Sequence, residues 1–335
     1  ADEMGLGKTI QVAALFAHLN EKDRLGPSLV VVPKSLIPNW VSELKRFCPQ
    51  IAAVYEHHGL NRIRSSRVLS QWDLVITTYG TLRRDQLIMA EVDWQIVVCD
   101  EAQNVKNPTT QVTSAVKGMK AGTRLALTGT PVENGLSEFW CIFDYAQPGK
   151  LGSWASFRND FEKPLLVGTP QQRKDLTIDL QAQLDPHYVR RKKVDVLKEL
   201  PPKREERYYV DLSQEQETTY STIIRGLNDG SLIPLQALQM LLQVCSHPRL
   251  GKSQGASMDD SIGSCPKLEK VVEIVEEIRR SGERVVVFTR YRRMQRIIQD
   301  TLGEVFGVFA PVINGEDSGR ARQARVSQFN KLSGF

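Results

Sequence analysis

The sequence has few cysteines, and none of them are spaced to bind a metal together. The five cysteines lie far apart and include no C-x-x-C pair; they are Cys48, Cys99, Cys141, Cys245 and Cys265. An odd, scattered set argues against a disulfide framework and against a zinc site, and it is typical of a reducing, intracellular setting. His57 and His58 are adjacent but have no further ligand at a useful spacing, so a surface loop is predicted there.

Long apolar runs are also lacking. No stretch of the sequence approaches the roughly 20 apolar residues that a membrane-spanning helix needs, and no signal peptide is visible. No internal repeat is visible at the periods of roughly 20–50 residues that repeat proteins show. The net charge of +5 is mildly basic, which permits a nucleic-acid partner without demonstrating one. These features argue against a membrane protein, a disulfide-stapled secreted domain and a repeat array.

Short apolar runs rich in valine and isoleucine recur through the first half, each followed by polar or turn residues. They cover residues 29–32, 51–55, 74–77, 96–99 and 125–127. Helical patterns lie between several of them, at residues 10–19, 37–47, 109–119 and 136–145. Strands that are apolar on both faces and alternate with helices predict a parallel sheet covered by helices on both sides.

The second half begins with a different pattern. Residues 154–264 are mostly helical, and the polar stretch 251–263 predicts a loop or linker. A second α/β pattern follows, with helices predicted at 267–280, 290–302 and 318–330 and strands at 285–289 and 308–313. Two strands are few for a sheet, since a typical one has about 5–6.

The first chemical motif is a glycine-rich loop, DEMGLGKT, at residues 2–9. Gly5 and Gly7 let backbone N–H groups curl around phosphate oxygens, and the helix that follows directs its positive end at the same anion. Lys8 would reach the β- and γ-phosphates, and the Thr9 hydroxyl would hold Mg²⁺. Asp2 stands where the strict pattern has glycine, so the loop alone is an imperfect match. A phosphate loop also follows a strand, so we expect this sequence to be an internal segment of a longer chain.

The second motif is an acidic pair directly after a buried strand, IVVCDE at residues 96–101. Ligands of parallel sheets bind at the carboxyl ends of the strands. Asp100 would hold Mg²⁺ there, and Glu101 would act as general base on the attacking water. An acidic helix cap is the alternative, and it is weakened by the phosphate loop in the same predicted sheet.

Three further stretches have weaker meaning. The turn LTGTP at 127–131 places the Thr128 and Thr130 hydroxyls after a strand, where they could sense the γ-phosphate, although alone it is only a turn. Residues 188–207 contain eight Lys or Arg against four acids, and residues 284–296 contain five Arg and no acid. Such clusters suit phosphate backbones, with solvated helix faces as the alternative. The five tryptophans are predicted to be packing residues, and Trp40 follows a strand and a polar turn near the expected nucleic-acid face.

Together the motifs resemble those of the Swi/Snf (Snf-two) family of helicase-like ATPases, within helicase superfamily two, in order and over essentially the whole chain. DEMGLGKTIQ resembles motif I, VVVPKSLIPNW motif Ia, VITTYGTLRRD the next DNA-contacting motif, VVCDEAQNVKN motif II (a DEAD/DEAH-like box) and LALTGTPVENGLSEFW motif III. The family's segment after lobe one is similar to HYVRRKKVDVLKELPPKRE, and its lead-in to lobe two is similar to LLQVCSHP and SCPKLEKVVEI. Motif IV is similar to RVVVFTRYRRM, and the stretch after motif IV to VINGEDSGRARQARVSQFN. Family members share the departure at Asp2. Gln103 replaces a histidine that many members carry, and this variant of motif II is more similar to the bacterial branch of the family.

The resemblance implies an α/β fold of two RecA-like lobes. Residues 1–195 would form a RecA-like phosphate-loop lobe with a parallel sheet that lacks its first strand. Residues 196–264 would form a helical insertion and linker, and residues 265–335 a truncated second RecA-like lobe. The implied activity is that of a DNA-dependent ATP hydrolase, with ATP and Mg²⁺ as cofactors, that moves along double-stranded DNA without separating its strands.

The resemblance also implies roles for single residues. Gly5, Gly7, Lys8 and Thr9 would bind the nucleotide, Thr9 and Asp100 would bind Mg²⁺, and Glu101 would be the catalytic base assisted by Lys8 and Asp100. Thr128 and Thr130 would couple the nucleotide state to DNA. The residues in motifs that face DNA are Lys34, Thr78, Arg290 and Asn314.

The same resemblance predicts what lies outside the sequence. The family's motifs V and VI are expected after residue 335, and motif VI supplies an arginine worth about 10³–10⁵ in rate in related enzymes. The adenine-recognising segment is expected before residue 1, so ATP rather than GTP rests on the resemblance, and the isolated chain is expected to turn over little ATP. Two other hypotheses remain open: a strand-separating helicase on DNA or RNA, and a nucleotide- and DNA-binding module with little turnover.

The expected partners are the phosphate backbone of duplex DNA and other nucleoprotein components, with no membrane. The expected location is the cytoplasm, in association with the bacterial nucleoid, or the nucleus if the source is eukaryotic.

Overall fold

The computed structural model describes residues 1–133, 135–251 and 265–332. The chain divides into two compact units, unit 1 at Ala1–Pro202 and unit 2 at Lys203–Phe335. The predicted linker at 251–263 lies outside the described residues except for its first residue. The division into a lobe at 1–195, an insertion at 196–264 and a partial lobe at 265–335 stays a prediction.

The described part of unit 1 contains one parallel sheet of five strands. They are β1 (Ser28–Val32), β2 (Val54–His57), β3 (Leu74–Thr78), β4 (Trp94–Asp100) and β5 (Ala121–Leu127). Their order is β2-β3-β1-β4-β5, and every pairing is parallel. The predicted α/β class with a parallel sheet is confirmed.

Unit 1 also contains eleven described α-helices, five of which are the first α-helix after a strand. They are α1 (Lys8–Glu21), α2 (Ile37–Phe47), α3 (Ser66–Leu69), α4 (Tyr79–Arg84), α5 (Gln86–Ala90), α6 (Gln111–Lys117), α7 (Leu136–Ala146), α8 (Trp154–Phe157), α9 (Lys163–Val167), α10 (Pro170–Leu184) and α11 (Lys193–Val196). Short 3-10 helices lie at Lys34–Leu36 and Ala102–Val105, and a π-helix lies at Arg158–Glu162.

The two faces of the sheet form two separate cores. Successive residues of a strand point to opposite faces, so Val30 enters one core and Val31 the other. Helices α1 and α2 cover the Val30 face, where Phe16 and Trp40 are fully buried. Helices α4 to α7 cover the Val31 face. The doubly covered sheet explains why its central strands are apolar without alternation.

Unit 2 has helices as its only regular elements within the described residues. Its α-helices are α12 (Gln214–Asn228), α13 (Pro234–Val244), α14 (Pro266–Arg280), α15 (Arg292–Phe306) and α16 (Gly319–Lys331), with a 3-10 helix at Pro248–Gly251. α12 packs on α13 through Ile223 and Ala237. α14 packs on α15 through Val275 and Ile298. The predicted helices of this half are confirmed.

The strands predicted at 285–289 and 308–313 are wrong, because the described residues of unit 2 contain no strand. In the second segment, backbone carbonyl oxygens instead accept hydrogen bonds from side chains of neighbouring helices. Gln299 donates to the carbonyl oxygen of Ala310 at 2.5 Å, and Arg325 donates to that of Val312. Phe288 and Phe309 also remain 91% and 83% exposed. An apolar β-like pattern forms a strand only where another strand accepts its backbone hydrogen bonds.

Among the described helices, none combines the length and the apolar composition that a membrane span requires.

Candidate functional site

The glycine-rich loop has the backbone that its sequence predicts. Gly5 and Gly7 have φ of 83° and 73°, in the left-handed region that side chains disfavour. Gly7 is the N-cap of α1, which begins at Lys8, so the free N–H groups of the first helical turn face the loop. The loop therefore presents an anion-binding helix terminus next to a lysine.

Asp2 is held by an arginine from the basic segment at 188–207. The Asp2 carboxylate accepts hydrogen bonds from the Arg191 backbone N–H at 2.9 Å and from Arg191 Nε at 3.1 Å, and it also pairs with Arg191 Nη2. This ion pair lowers the pKa of Asp2 to about 2. Lys8 Nζ donates to the carbonyl oxygens of Asp2 at 2.8 Å and Glu3 at 3.2 Å. The non-glycine residue at position 2 therefore connects the phosphate loop to the chain near position 191.

Two members of that basic segment contact the loop, which sequence reasoning missed. The Glu3 backbone N–H donates to the Arg191 carbonyl at 3.1 Å, and the Lys193 backbone N–H donates to Glu3 Oε2 at 2.6 Å. A Cβ on Gly5 would lie 3.7 Å from Lys193 Nζ. The charge count at 188–207 indicated a phosphate-binding surface but could not indicate contact with the loop.

Asp100 ends β4 with both carboxylate oxygens engaged. Its Oδ2 accepts from Trp40 Nε1 at 2.7 Å, and its Oδ1 accepts from the Glu101 backbone N–H at 2.9 Å. The Tyr79 hydroxyl donates to the Asp100 backbone carbonyl at 2.6 Å and fixes the strand end. Burial raises the pKa of the Asp100 carboxyl, and the Trp40 hydrogen bond opposes that shift. A divalent cation at this carboxylate would also favour its ionised form.

Glu101 has a backbone that is uncommon for a residue with a side chain. Its φ of 50° and ψ of 55° are left-handed, and it precedes the 3-10 helix at Ala102–Val105. Its Oε2 accepts from Gln103 Nε2 at 2.7 Å, and Gln103 Oε1 accepts from Thr128 Oγ1 at 3.0 Å. Gln103 therefore joins the acidic pair to the turn after β5.

The turn after β5 lies against the phosphate loop. A Cβ on Gly129 would come within 2.9 Å of Met4 Cγ and 3.8 Å of Lys8 Nζ, so the absence of a side chain permits this close approach. Thr128 is 2% exposed and accepts from the Thr130 backbone N–H at 3.1 Å. Thr130 Oγ1 donates to Glu133 at 3.2 Å. The loop, the acidic pair and the threonine turn thus form one site in unit 1.

The donor set of this site suits Mg²⁺. The Thr9 hydroxyl follows Lys8 at the start of α1, and the Asp100 carboxylate ends the strand beside the loop. Mg²⁺ takes oxygen ligands and is bound in proteins by one or two such groups together with substrate phosphates. Thr9 and Asp100 therefore fit the role that the sequence predicts for them.

The residues predicted to face DNA lie in several places. Lys34 begins the 3-10 helix after β1. Thr78 caps α4, where its side chain accepts from the Thr81 backbone N–H. Arg290 and Asn314 belong to unit 2, where Arg290 is exposed and Asn314 accepts from the Glu316 backbone N–H at 2.9 Å. The role of these four residues at DNA stays a prediction.

The surface loop predicted at His57 and His58 is wrong for His57. This residue ends β2 and is fully buried, and its Nε2 lies 2.9 Å from Asp85 Oδ2. Arg62 pairs with the same carboxylate, so His57, Asp85 and Arg62 form one cluster. Burial lowers the pKa of His57. The prediction rested on the lack of a further metal ligand at a useful spacing, and it did not anticipate the contact with Asp85, which lies 28 positions further along the chain.

A parallel sheet with a glycine loop before α1 and an acidic pair at the end of β4 defines a phosphate-loop ATPase core. The SNF2-related domain family matches residues 1–262, and the chain belongs to this family.

Several named relatives cover nearly all of the chain. YwqA of Bacillus subtilis (strain 168), a putative ATP-dependent helicase/translocase, is 34% identical over 99% of this chain and 37% of its own length. Zorya protein ZorD of Escherichia coli O139:H28 is 31% identical over 100% of this chain and 34% of its own. A mouse SWI/SNF-related regulator of chromatin, subfamily A member 1, is 32% identical over 90% of this chain and 30% of its own. The chain thus spans about a third of these relatives.

Two solved structures are similar over the full chain. The Sulfolobus solfataricus SWI2/SNF2 ATPase core in complex with double-stranded DNA is 33% identical, with a TM-score of 0.55 over 71% of that chain. A second structure, of the SWI2/SNF2 ATPase core domain from the same organism, is also 33% identical and gives a TM-score of 0.53 over 69% of that chain. The predicted family and the RecA-like fold class are therefore confirmed.

Proposed function

We propose that this chain is the motor core of an ATPase that couples ATP hydrolysis to movement along double-stranded DNA. The observation that carries the proposal is the chain of hydrogen bonds from Glu101 through Gln103 to Thr128. It joins the catalytic carboxylate to a turn that touches the phosphate loop. Thr130 carries the connection on to Glu133, because its backbone N–H donates to Thr128 Oγ1 and its own hydroxyl donates to Glu133. A change at the γ-phosphate can therefore alter side-chain contacts along this path, which is what a motor requires.

The proposed chemistry assigns a role to each side chain of the site. Loop N–H groups at Gly5 and Gly7 and the Lys8 ammonium would hold the phosphates. Thr9 and Asp100 would hold Mg²⁺, which would supply positive charge beside the transferring phosphate. Glu101 orients and deprotonates the attacking water. The hydrogen bond from Gln103 fixes its carboxylate without neutralising it.

DNA is the proposed track for two reasons. One of the similar solved structures is a complex with double-stranded DNA, and the exposed Arg290 and the cap residue Thr78 lie in motifs that resemble DNA-facing ones. Lys34, Asn314, Thr128 and Thr130 complete the proposed set, the last two as coupling residues. The proposed location is the bacterial nucleoid, or the nucleus in a eukaryote.

The first experiment replaces the general base. Glu101→Gln keeps the size of the side chain and one acceptor oxygen but removes its basicity. We expect DNA-stimulated ATP hydrolysis to fall at least about 100-fold, the range for general-base removal, while nucleotide binding persists. Glu91→Gln is the matched control, because Glu91 accepts from the exposed Ser66 hydroxyl outside the site. Undiminished turnover by Glu101→Gln would refute the role of Glu101.

The assay uses the longest natural chain that contains these residues, since the 335 residues alone are proposed to turn over little ATP. The same preparation is tested for displacement of the third strand from a DNA triplex and for unwinding of a forked duplex. Triplex displacement without fork unwinding supports translocation on duplex DNA. Fork unwinding without triplex displacement supports a strand-separating helicase instead.

A further inference from the structure

Trp40 lies on α2 and is completely buried, yet its polar atom faces the catalytic site. The indole Nε1 donates to Asp100 Oδ2 at 2.7 Å. The indole ring packs in the core between α1, α2 and the sheet. The side chain therefore connects the hydrophobic core directly to the carboxylate that ends β4.

The Asp100 carboxylate is oriented by two donors from different elements. Trp40 holds Oδ2 from α2, and the Glu101 backbone N–H holds Oδ1 at 2.9 Å. Two bonds to the two oxygens fix the rotation of the carboxylate plane. Each oxygen can still accept in another direction, so a metal ligand position remains. The orientation of that position depends on the indole N–H.

We propose that Trp40 is a positioning residue for the metal, because its indole N–H sets the orientation of the Asp100 carboxylate and thereby the affinity of the site for Mg²⁺. The inference rests on the proposed function, which places Mg²⁺ at Asp100. Hydrogen-bond partners that orient a metal-binding side chain commonly change metal affinity by an order of magnitude or more.

A role in packing alone does not account for this contact. Buried indole N–H groups usually find an acceptor, and Trp94 shows the ordinary case, with Nε1 donating to the Met89 backbone carbonyl at 2.9 Å. Trp94 is 2% exposed and is itself the first residue of β4. Trp40 differs in that its acceptor is a carboxylate at the nucleotide site. The two tryptophans therefore form a matched pair.

The experiment compares Trp40→Phe with Trp94→Phe in the full chain. A fluorescent ADP analogue is bound at rising Mg²⁺ concentrations, with an EDTA baseline, and the melting temperature of each variant is recorded. Both variants lose an indole N–H and ring volume in the core, so losses due to packing affect both. Only the Trp40 variant loses a donor to Asp100.

We expect Trp40→Phe to raise the Mg²⁺ concentration for half-maximal gain in nucleotide affinity about 10–100-fold, as for other partners of metal-binding side chains. Binding in EDTA should be unchanged, and Trp94→Phe should match the wild type. Equal Mg²⁺ dependence in both variants would overturn the proposal while leaving the nucleotide site intact. A wild type without any Mg²⁺-dependent binding would refute the proposed function itself, and the inference with it.

A second substitution keeps the test valid if Trp40→Phe does not fold. Replacing Trp40 with 3-benzothienylalanine exchanges the indole N–H for sulfur and keeps the ring shape. The expected shift in Mg²⁺ dependence is the same, and the same replacement at Trp94 is its control. A benzothienyl variant with the Mg²⁺ dependence of the wild type would overturn the positioning role.

Discussion

Asp2 occupies a position where glycine is usual in phosphate loops, and its carboxylate is nearly inaccessible. Arg191 holds it through its guanidinium and its backbone N–H, across a separation of 189 positions in the chain. A buried carboxylate is stable only when hydrogen bonds and opposite charge replace its hydration. The arginine therefore makes the aspartate possible at this position and ties the loop to the segment that leads out of unit 1.

Removal of this arginine should make unit 1 less stable in a pH-dependent manner. The pKa of Asp2 is lowered to about 2 in the folded protein, below its ordinary value of 3.8. Its stabilising contribution is therefore complete above the unfolded value and is lost as the pH falls through the folded one. We expect Arg191→Ala to lower the free energy of unfolding near pH 6, and the deficit to shrink between about pH 4 and pH 2.

Chemical denaturation across that pH range measures the deficit. Lys192→Ala is the control, because it removes one positive charge from the same segment at an exposed position. A deficit for Arg191→Ala that stays constant down to pH 2 would show that the pair with Asp2 does not stabilise the fold.

Single residues were predictable where the chemistry is local. The loop at 2–9 and the acids at 100 and 101 follow from short motifs, because each motif and its strand or helix are adjacent in sequence. The contacts of Asp100 with Trp40 and of Gln103 with Thr128 span 60 and 25 positions. They depend on strand order, which the sequence pattern does not specify. His57 was misjudged for the same reason.

At the scale of elements, the turn into α1 depends on glycine for its backbone alone. Nothing lies within 4 Å of a Cβ built on Gly7, so a methyl group there meets no atom, yet φ is 73°. The cost of a side chain is thus conformational. Gly80 lies inside α4 with open space around it and an ordinary φ.

The same substitution should therefore have opposite effects at the two glycines. Gly7→Ala should destabilise the protein by about 1–2 kcal/mol, the cost of a left-handed backbone for an L-residue, and weaken nucleotide binding. Gly80→Ala should stabilise it by up to about 1 kcal/mol, since alanine favours helix over glycine. Denaturation midpoints and nucleotide titrations of the two variants provide the measurement. Equal losses in both would mean that the positive φ is not what position 7 requires.

Strands and helices were predicted well where an apolar segment is both buried and paired with a neighbouring element. The five strands and the long helices of unit 1 follow the apolar periods, because helices cover both faces of the sheet. The segments 285–289 and 308–313 have the composition of strands, but the second accepts side-chain hydrogen bonds instead of pairing. Composition indicates that a segment suits a sheet, whereas the strand itself also requires a neighbour.

At the scale of the whole molecule, the basic residues separate into two groups with different expected functions. Arg191 and Lys193 contact the phosphate loop, whereas the arginines at 290–296 belong to unit 2. All four of them are exposed, and Arg290 directly follows the apolar segment at 285–289. Charge that serves a DNA backbone is distinguished by the salt dependence of binding.

DNA affinity should fall steeply with salt, and Arg290→Ala should reduce the slope of log affinity against log salt by about one. Nucleotide binding should be unchanged by this variant. Arg280→Ala is the control, because that arginine is also exposed but pairs with Glu276 on α14. Identical salt slopes for the two variants would remove Arg290 from the proposed DNA interface.

The left-handed backbone at Glu101 bears on how this protein would respond to laboratory evolution. An L-residue there costs of order 1–3 kcal/mol, and glycine adopts the same backbone freely. A screen that rewards only expression or heat resistance would therefore enrich glycine at codon 101 and discard the proposed general base. Selection for robustness and selection for turnover oppose each other at this one position, so libraries built on this scaffold should hold codon 101 fixed.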